Sequence, residues 1–161
     1  GTLLIHYLLP GKRLYLLGTG TGLAPFMSII RDPDTYEKFD QVILVHGCRL
    51  VSELAYRDYI TQELPQHEFL GDMVSSQLKY YPTVTREPFP TQGRIPELIE
   101  SGRMARDLGL PDLHPQLDRV MLCGSPEMLK SIKEVLEKRG FKEGNTTTPG
   151  DFVVERAFVE Q

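Results

Sequence analysis

The chain is 161 residues long, 40% hydrophobic and 25% charged, with a formal net charge of −4 at pH 7. That length suits one domain with a real core, and the mild acidity argues against a broad nucleic-acid or membrane-surface footprint. Cys48 and Cys123 form neither a Cys-x-x-Cys pair nor a disulfide framework. No signal peptide is evident and no apolar run nears the roughly 18 residues of a membrane span, so the expected setting is the cytoplasm, away from membranes.

Taken in order, residues 2–9 are strongly apolar and read as a strand, turned by Pro10-Gly11-Lys12. A strand with nothing before it to pair with, in a chain that begins at Gly1, suggests the excerpt of a longer protein. The apolar run Leu14-Tyr15-Leu16-Leu17 reads as a buried strand ending in Gly18-Thr19-Gly20-Thr21-Gly22. Residues 23–31 read as a short helix stopped at Asp32-Pro33, because the residue before proline is pushed out of the α region. Residues 41–46 form an unbroken β-branched run, suited to burial on both faces of a parallel sheet.

Ser52 reads as the cap of a helix running to about Glu63, with Tyr56, Tyr59, Ile60 and Leu64 at helical spacing and both tyrosines facing the core. Residues 79–84 are a third strand, which Pro82 demotes toward an edge position. A turn-rich loop follows at 85–94, then a helix at 95–101 and an irregular segment at 103–118. Residues 119–123 are a fourth strand. It is joined by Gly124-Ser125-Pro126 to the clearest helix, with Ser125 at the N-cap and Pro126 at the first position. Met128, Leu129, Ile132, Val135 and Leu136 make its apolar stripe, and Gly140 ends it. Residues 152–159 read as a last strand.

Strands alternating with helices predict an α/β fold, a doubly wound and mostly parallel five-stranded sheet with helices on both faces. Such sheets bind ligands outside the carboxyl ends of their strands. Those ends carry Gly18 to Gly22, Arg49, Arg86 and Cys123-Gly124-Ser125. The glycine turn suits a phosphate, although a tight turn alone would also use glycine. A P-loop is excluded, since no Gly-Lys-Ser/Thr follows. The standard dinucleotide fingerprint fails where Leu23 replaces its third glycine, and no acidic residue ends the second strand to hold a ribose hydroxyl.

Arg49 stands near that place instead, and an arginine there suits a 2′-phosphate. Arg86 and Arg94 would complete a dianion site; singly, each also reads as a solvated charge, and Glu87 could pair with Arg86. Cys123 reads either as a small buried hydrophobe or as a soft side chain against a nicotinamide ring. His6, His46, His67 and His114 show no metal-ligand spacing, so no metal is assigned.

Gly18-Thr19-Gly20-Thr21-Gly22-Leu23-Ala24-Pro25-Phe26 together with Cys123-Gly124-Ser125-Pro126-Glu127-Met128 resembles the NADP-binding domain of ferredoxin–NADP reductases. The turn at Arg86-Glu87, the later Gly93-Arg94 and the closing Val-Val-Glu-Arg-Ala157-Phe158-Val run resemble its bacterial branch, which includes the flavodoxin/ferredoxin reductases. The resemblance implies an enzyme that moves hydride between NADP(H) and FAD and electrons to or from ferredoxin or flavodoxin. It implies that Gly20 to Gly22 hold the NADP pyrophosphate and that Arg49, Arg86 and Arg94 hold the 2′-phosphate. Cys123 would lie beside nicotinamide and flavin with Thr21 opposite, and Ser125, Pro126 and Met128 would line the nicotinamide side.

By the same resemblance, Ala157 would lie near the isoalloxazine of FAD and Phe158 would stack toward its adenine, in a flavin-covering tail at 152–161. The family's FAD barrel precedes this domain, and its Arg-x-Tyr-Ser-type motif is missing here. Residues 1–12 would therefore be the exit from that barrel and 13–161 the NADP-binding domain. The alternatives are an NADPH-dependent reductase component of an oxygenase and a non-catalytic nucleotide-binding module.

Overall fold

The computed structural model describes residues 2–155. Its centre is a five-stranded, all-parallel sheet in the order β3-β2-β1-β4-β5. The strands are β1 (Arg13–Thr19), β2 (Gln41–Cys48), β3 (Leu78–Val84), β4 (Asp118–Cys123) and β5 (Phe152–Val154). The sequence order reverses between β1 and β4, where successive crossovers turn to opposite sides of the sheet. Such a reversal opens a crevice at the carboxyl edge.

Both faces are covered, which is why β1, β2 and β4 are apolar without alternation. Leu14, Leu16, Val42 and Leu44 pack with α1 (Ala24–Ile30), α2 (Pro33–Lys38) and α3 (Gly71–Gln77). Tyr15, Leu17, Ile43, Val45 and Leu122 pack with α4 (Ile95–Glu100), α5 (Arg103–Leu108) and α6 (Pro126–Lys138). The Ser125 side chain accepts from the Met128 amide, and Leu129, Ile132, Val135 and Leu136 are buried, as the α6 pattern requires. β3 lies at the edge of the sheet, where Pro82 removes no ladder donor from a central strand.

Several expectations are corrected. Residues 2–9 are not a strand: Thr2–Tyr7 is a 3₁₀ helix, and only Leu8 makes an isolated bridge, to Gly150. Ile5 and Leu8 are buried in the same core as β1, so this segment packs into the domain. The single helix expected from Ser52 is broken into a 3₁₀ turn, Val51–Glu53, and a π-helical segment, Tyr59–Glu63. Tyr59 packs on the core but Tyr56 is exposed. The segment 103–118 is not wholly irregular, because it contains α5, bounded by Gly102 and Gly109 at positive φ. α2 and α3 have no counterpart among the elements expected from the sequence. β5 ends at Val154; residues 156–161 of the expected tail, Ala157 and Phe158 among them, lie outside the described residues.

The amino end of the sheet is held by buried charge. Arg13 Nε donates to Asp118 Oδ1 at 2.7 Å, and Asp118 Oδ2 accepts from the His114 amide at 2.9 Å. Arg119 donates to the carbonyls of Leu9 (3.0 Å), Pro10 (2.8 Å) and Pro115 (2.6 Å), fastening the entering segment beside β4. Removing one member of a buried pair strands the other charge. Asp118→Leu should therefore cost about 3–5 kcal/mol in urea unfolding, while Arg13→Met with Asp118→Leu should regain most of it. A double variant as unstable as the single one would contradict this.

Candidate functional site

The parallel register brings four loops to one level. Gly18 pairs with His46 on one side and with Cys123 on the other, and Thr19 pairs with Gly47. The loops leaving these strands enclose a cleft of about 890 Å³. It holds the glycine turn, the Arg49 turn after β2, the Arg86–Arg94 loop after β3 and the start of α6.

The glycine turn is built by close approach. A Cβ on Gly22 would lie 2.9 Å from the Cys123 carbonyl oxygen, and one on Gly124 would fall on Thr19 Oγ1. The two loops on either side of the topological switch thus touch backbone to backbone. Within the turn, the Gly22 amide donates to the Thr19 carbonyl at 2.9 Å, and the Gly20 amide donates to the Gly47 carbonyl at 3.0 Å. Gly20 and Thr21 stand exposed at the cleft.

The arginines converge because the β2–β3 ladder continues past both strands. The Thr85 amide donates to the Cys48 carbonyl at 3.0 Å, and the Arg86 amide to the Arg49 carbonyl at 2.9 Å. The loop then folds back on its own strand: Thr83 Oγ1 donates to the Gly93 carbonyl at 2.7 Å, setting Arg94 at the entry of α4. Arg49, Arg86 and Arg94 are all exposed and all line the cleft. Among the described residues none of the three makes an ion pair.

Their acidic neighbours are engaged elsewhere. Glu53 Oε1 accepts from the amides of Arg49 (3.2 Å) and Leu50 (2.9 Å), and Glu87 Oε1 accepts from the Val51 amide. The pairing of Glu87 with Arg86 that the sequence left open is not formed. A cluster of cations without carboxylate partners favours an anion of high charge.

Of the residues singled out from sequence, Thr19, Gly20, Thr21, Gly22, Arg49, Arg86, Arg94, Gly124, Ser125, Pro126 and Met128 line the cleft. Gly18 and Cys123 do not; Gly18 lies against Phe26, and Cys123 is buried in the core at the end of β4. Burial, helped by Glu155, pushes the Cys123 thiol up to about 11, and burial with Glu53 does the same to Cys48. Both are neutral thiols at physiological pH, and neither is a ready nucleophile.

Sequence reasoning passed over His46 and Glu53. His46 is 1% exposed, with Nε2 2.8 Å from the Gly20 carbonyl oxygen and 3.3 Å from Cys48 Sγ. Its signal was a polar residue inside an otherwise apolar strand. Among the described residues no group of three or more His, Cys, Asp and Glu is placed to hold a metal ion.

A doubly wound parallel sheet with a glycine turn and an arginine cluster at its carboxyl edge defines a nucleotide-binding α/β domain. Residues 16–134 match the family described as the oxidoreductase NAD-binding domain, and the chain belongs to that family. It is 57% identical over its whole length to a ferredoxin–NADP reductase of Pseudomonas aeruginosa, covering 63% of that protein. It is 49% identical to a flavodoxin/ferredoxin–NADP reductase of Rhodobacter capsulatus over 99% of the chain and 59% of the relative. The chain thus spans less than two thirds of the length of these curated relatives. A crystal structure of a ferredoxin–NADP⁺ reductase from Neisseria gonorrhoeae, with bound FAD and NADP, matches 96% of the chain and 60% of its own length. Its TM-score is 0.82, at 32% identity.

Burial lowers the pKa of His46 from 6.5, so the folded protein holds it neutral. Between the lowered value and 6.5 the unfolded chain binds the extra proton, and stability conferred by neutral His46 is lost as pH falls through that window. The urea midpoint should therefore drop from pH 7.5 to pH 5.5 more steeply in the wild type than in His46→Gln. Equal slopes would contradict this.

Proposed function

We propose that the chain is the NADP(H)-binding half of a flavoprotein oxidoreductase that exchanges hydride between NADP(H) and FAD and electrons with ferredoxin or flavodoxin. The observation that carries the reading is the placement, opposite a glycine turn in one cleft, of three exposed arginines without an ion pair among the described residues. Family membership and the relatives' names support the reaction class.

The residues present fit the nucleotide. Arg49, Arg86 and Arg94 take the 2′-phosphate, where guanidinium forks give strong charge-assisted bonds. Gly20 to Gly22, which line the cleft, and the helix that follows them hold the pyrophosphate. Gly124, Ser125, Pro126 and Met128 line the nicotinamide end, with Thr21 across from them. When bound, NADP(H) carries the hydride at nicotinamide C4, and FAD accepts or returns it. The chain's own part is to bind and orient, which is where such proteins supply their catalytic advantage.

Cys123 acts from below the surface: its backbone carbonyl sets how closely Gly22 approaches, and its buried, neutral thiol stays out of the cleft and donates no proton to the reaction. Ala157 and Phe158, outside the described residues, are assigned to the flavin. We place the FAD domain ahead of the chain, residues 1–12 being the exit from it and 13–161 the NADP-binding domain. The free thiols Cys48 and Cys123 suit a reducing compartment, the cytoplasm. Among the described residues no helix is long and apolar enough to cross a membrane.

Arg49→Ala or Arg86→Ala should weaken 2′,5′-ADP binding by about 1–3 kcal/mol, as expected for lost charge-assisted bonds, and leave 5′-AMP binding nearly unchanged. Calorimetric titration of both ligands checks this. Equal losses for the two would refute the 2′-phosphate assignment.

A further inference from the structure

The tip of the glycine turn is held by hydrogen bonds. Gly20 has φ +58°, and nothing lies within 4 Å of where its Cβ would be. Yet both its backbone groups are tied to β2: its amide donates to the Gly47 carbonyl at 3.0 Å, and its carbonyl lies 2.8 Å from His46 Nε2. A carbonyl only accepts, so Nε2 carries the imidazole proton and donates. The ring is fixed in turn by Cys48, whose Sγ lies 3.3 Å from the same nitrogen and whose S–H reaches the Glu53 carbonyl at 3.5 Å.

This bond decides where the next amide points. In a trans peptide the C=O and the following N–H point in opposite directions. With the Gly20 carbonyl held down toward His46, the Thr21 N–H of the same peptide is turned away from β2, and Thr21 lies exposed on the cleft. A peptide flipped the other way would offer the cleft a carbonyl oxygen, which repels phosphate. We propose that His46 is a positioning residue that locks the Gly20–Thr21 peptide with its N–H toward the cleft, where it donates to a pyrophosphate oxygen of the nucleotide. The inference rests on the NADP(H) reading above and deepens it.

The test measures NADP⁺ and 2′-AMP affinity by calorimetry for the wild-type chain, His46→Leu and His46→Gln. 2′-AMP carries the 2′-phosphate but no pyrophosphate. His46→Leu should weaken NADP⁺ by about tenfold, the scale of one charge-assisted bond, and leave 2′-AMP within about twofold. His46→Gln, whose amide N–H reaches as far as Nε2, should restore NADP⁺ affinity. If leucine prevents folding, His46→Asn replaces it, since its amide stops short of Gly20, and it should show the same selective loss. Unchanged NADP⁺ affinity in the leucine or asparagine variant would overturn the proposal, as would equal losses for both ligands, the mark of a merely structural role. A wild type that binds neither ligand would overturn the nucleotide reading and this inference with it.

Discussion

The site depends on the register of one strand. β1 pairs in parallel with β2 and with β4, and Gly18 stands level with His46 on one side and Cys123 on the other. Because all three strands end at that height, the loops that leave them must share one small space, and only small residues let them do so. Gly22 against the Cys123 carbonyl and Gly124 against Thr19 are the consequence. The apolar run from Leu14 to Leu17, fully buried on both faces, supplies the hydrophobic energy that holds this register. The backbone contacts at the crevice are secured far beneath it.

The second organising effect is the disposition of charge in a chain whose net charge is −4. Acidic residues outnumber basic ones, yet the cleft exposes three arginines without an ion pair among the described residues. The nearest acids are drawn to backbone amides: Glu53 closes the Arg49 turn and Glu87 holds Val51. Each carboxylate thereby shapes the loop that presents an arginine instead of neutralising it. The cationic end and the glycine turn are also mechanically linked, since the Cys48 thiol reaches from His46, under Gly20, to the Glu53 carbonyl.

The sheet, α6 and the cleft loops were legible in the sequence because their signals are local and strong: β-branched runs, Ser125-Pro126 at a helix start, and glycines between strand and helix. What was misread lacked such signals or carried two at once. Residues 2–9 are an apolar run too short for periodicity to separate strand from helix, and Thr2–Tyr7 within it is a 3₁₀ helix. Asp32-Pro33 ends one helix and also starts the next: Asp32 accepts the Asp34 amide and Pro33 opens α2. α3, with Gly, Val and two serines in seven residues, has weak intrinsic propensity and is held by tertiary packing of Val74. The helix expected after Ser52 is interrupted where Glu53 turns back to the Arg49 and Leu50 amides. His46 was invisible as a positioning group because its partner, the Gly20 carbonyl, is 26 residues away and is brought to it only by the β1–β2 register.

The central claim is that the cleft is built for a nucleotide bearing a 2′-phosphate. Side-by-side calorimetric titration of the wild-type chain with NADP⁺ and NAD⁺ at moderate salt tests it most directly. The account predicts that NADP⁺ binds at least about 100-fold more tightly, the sum of two or more charge-assisted bonds, and that added salt narrows the gap. Equal affinities, or a preference for NAD⁺, would contradict it.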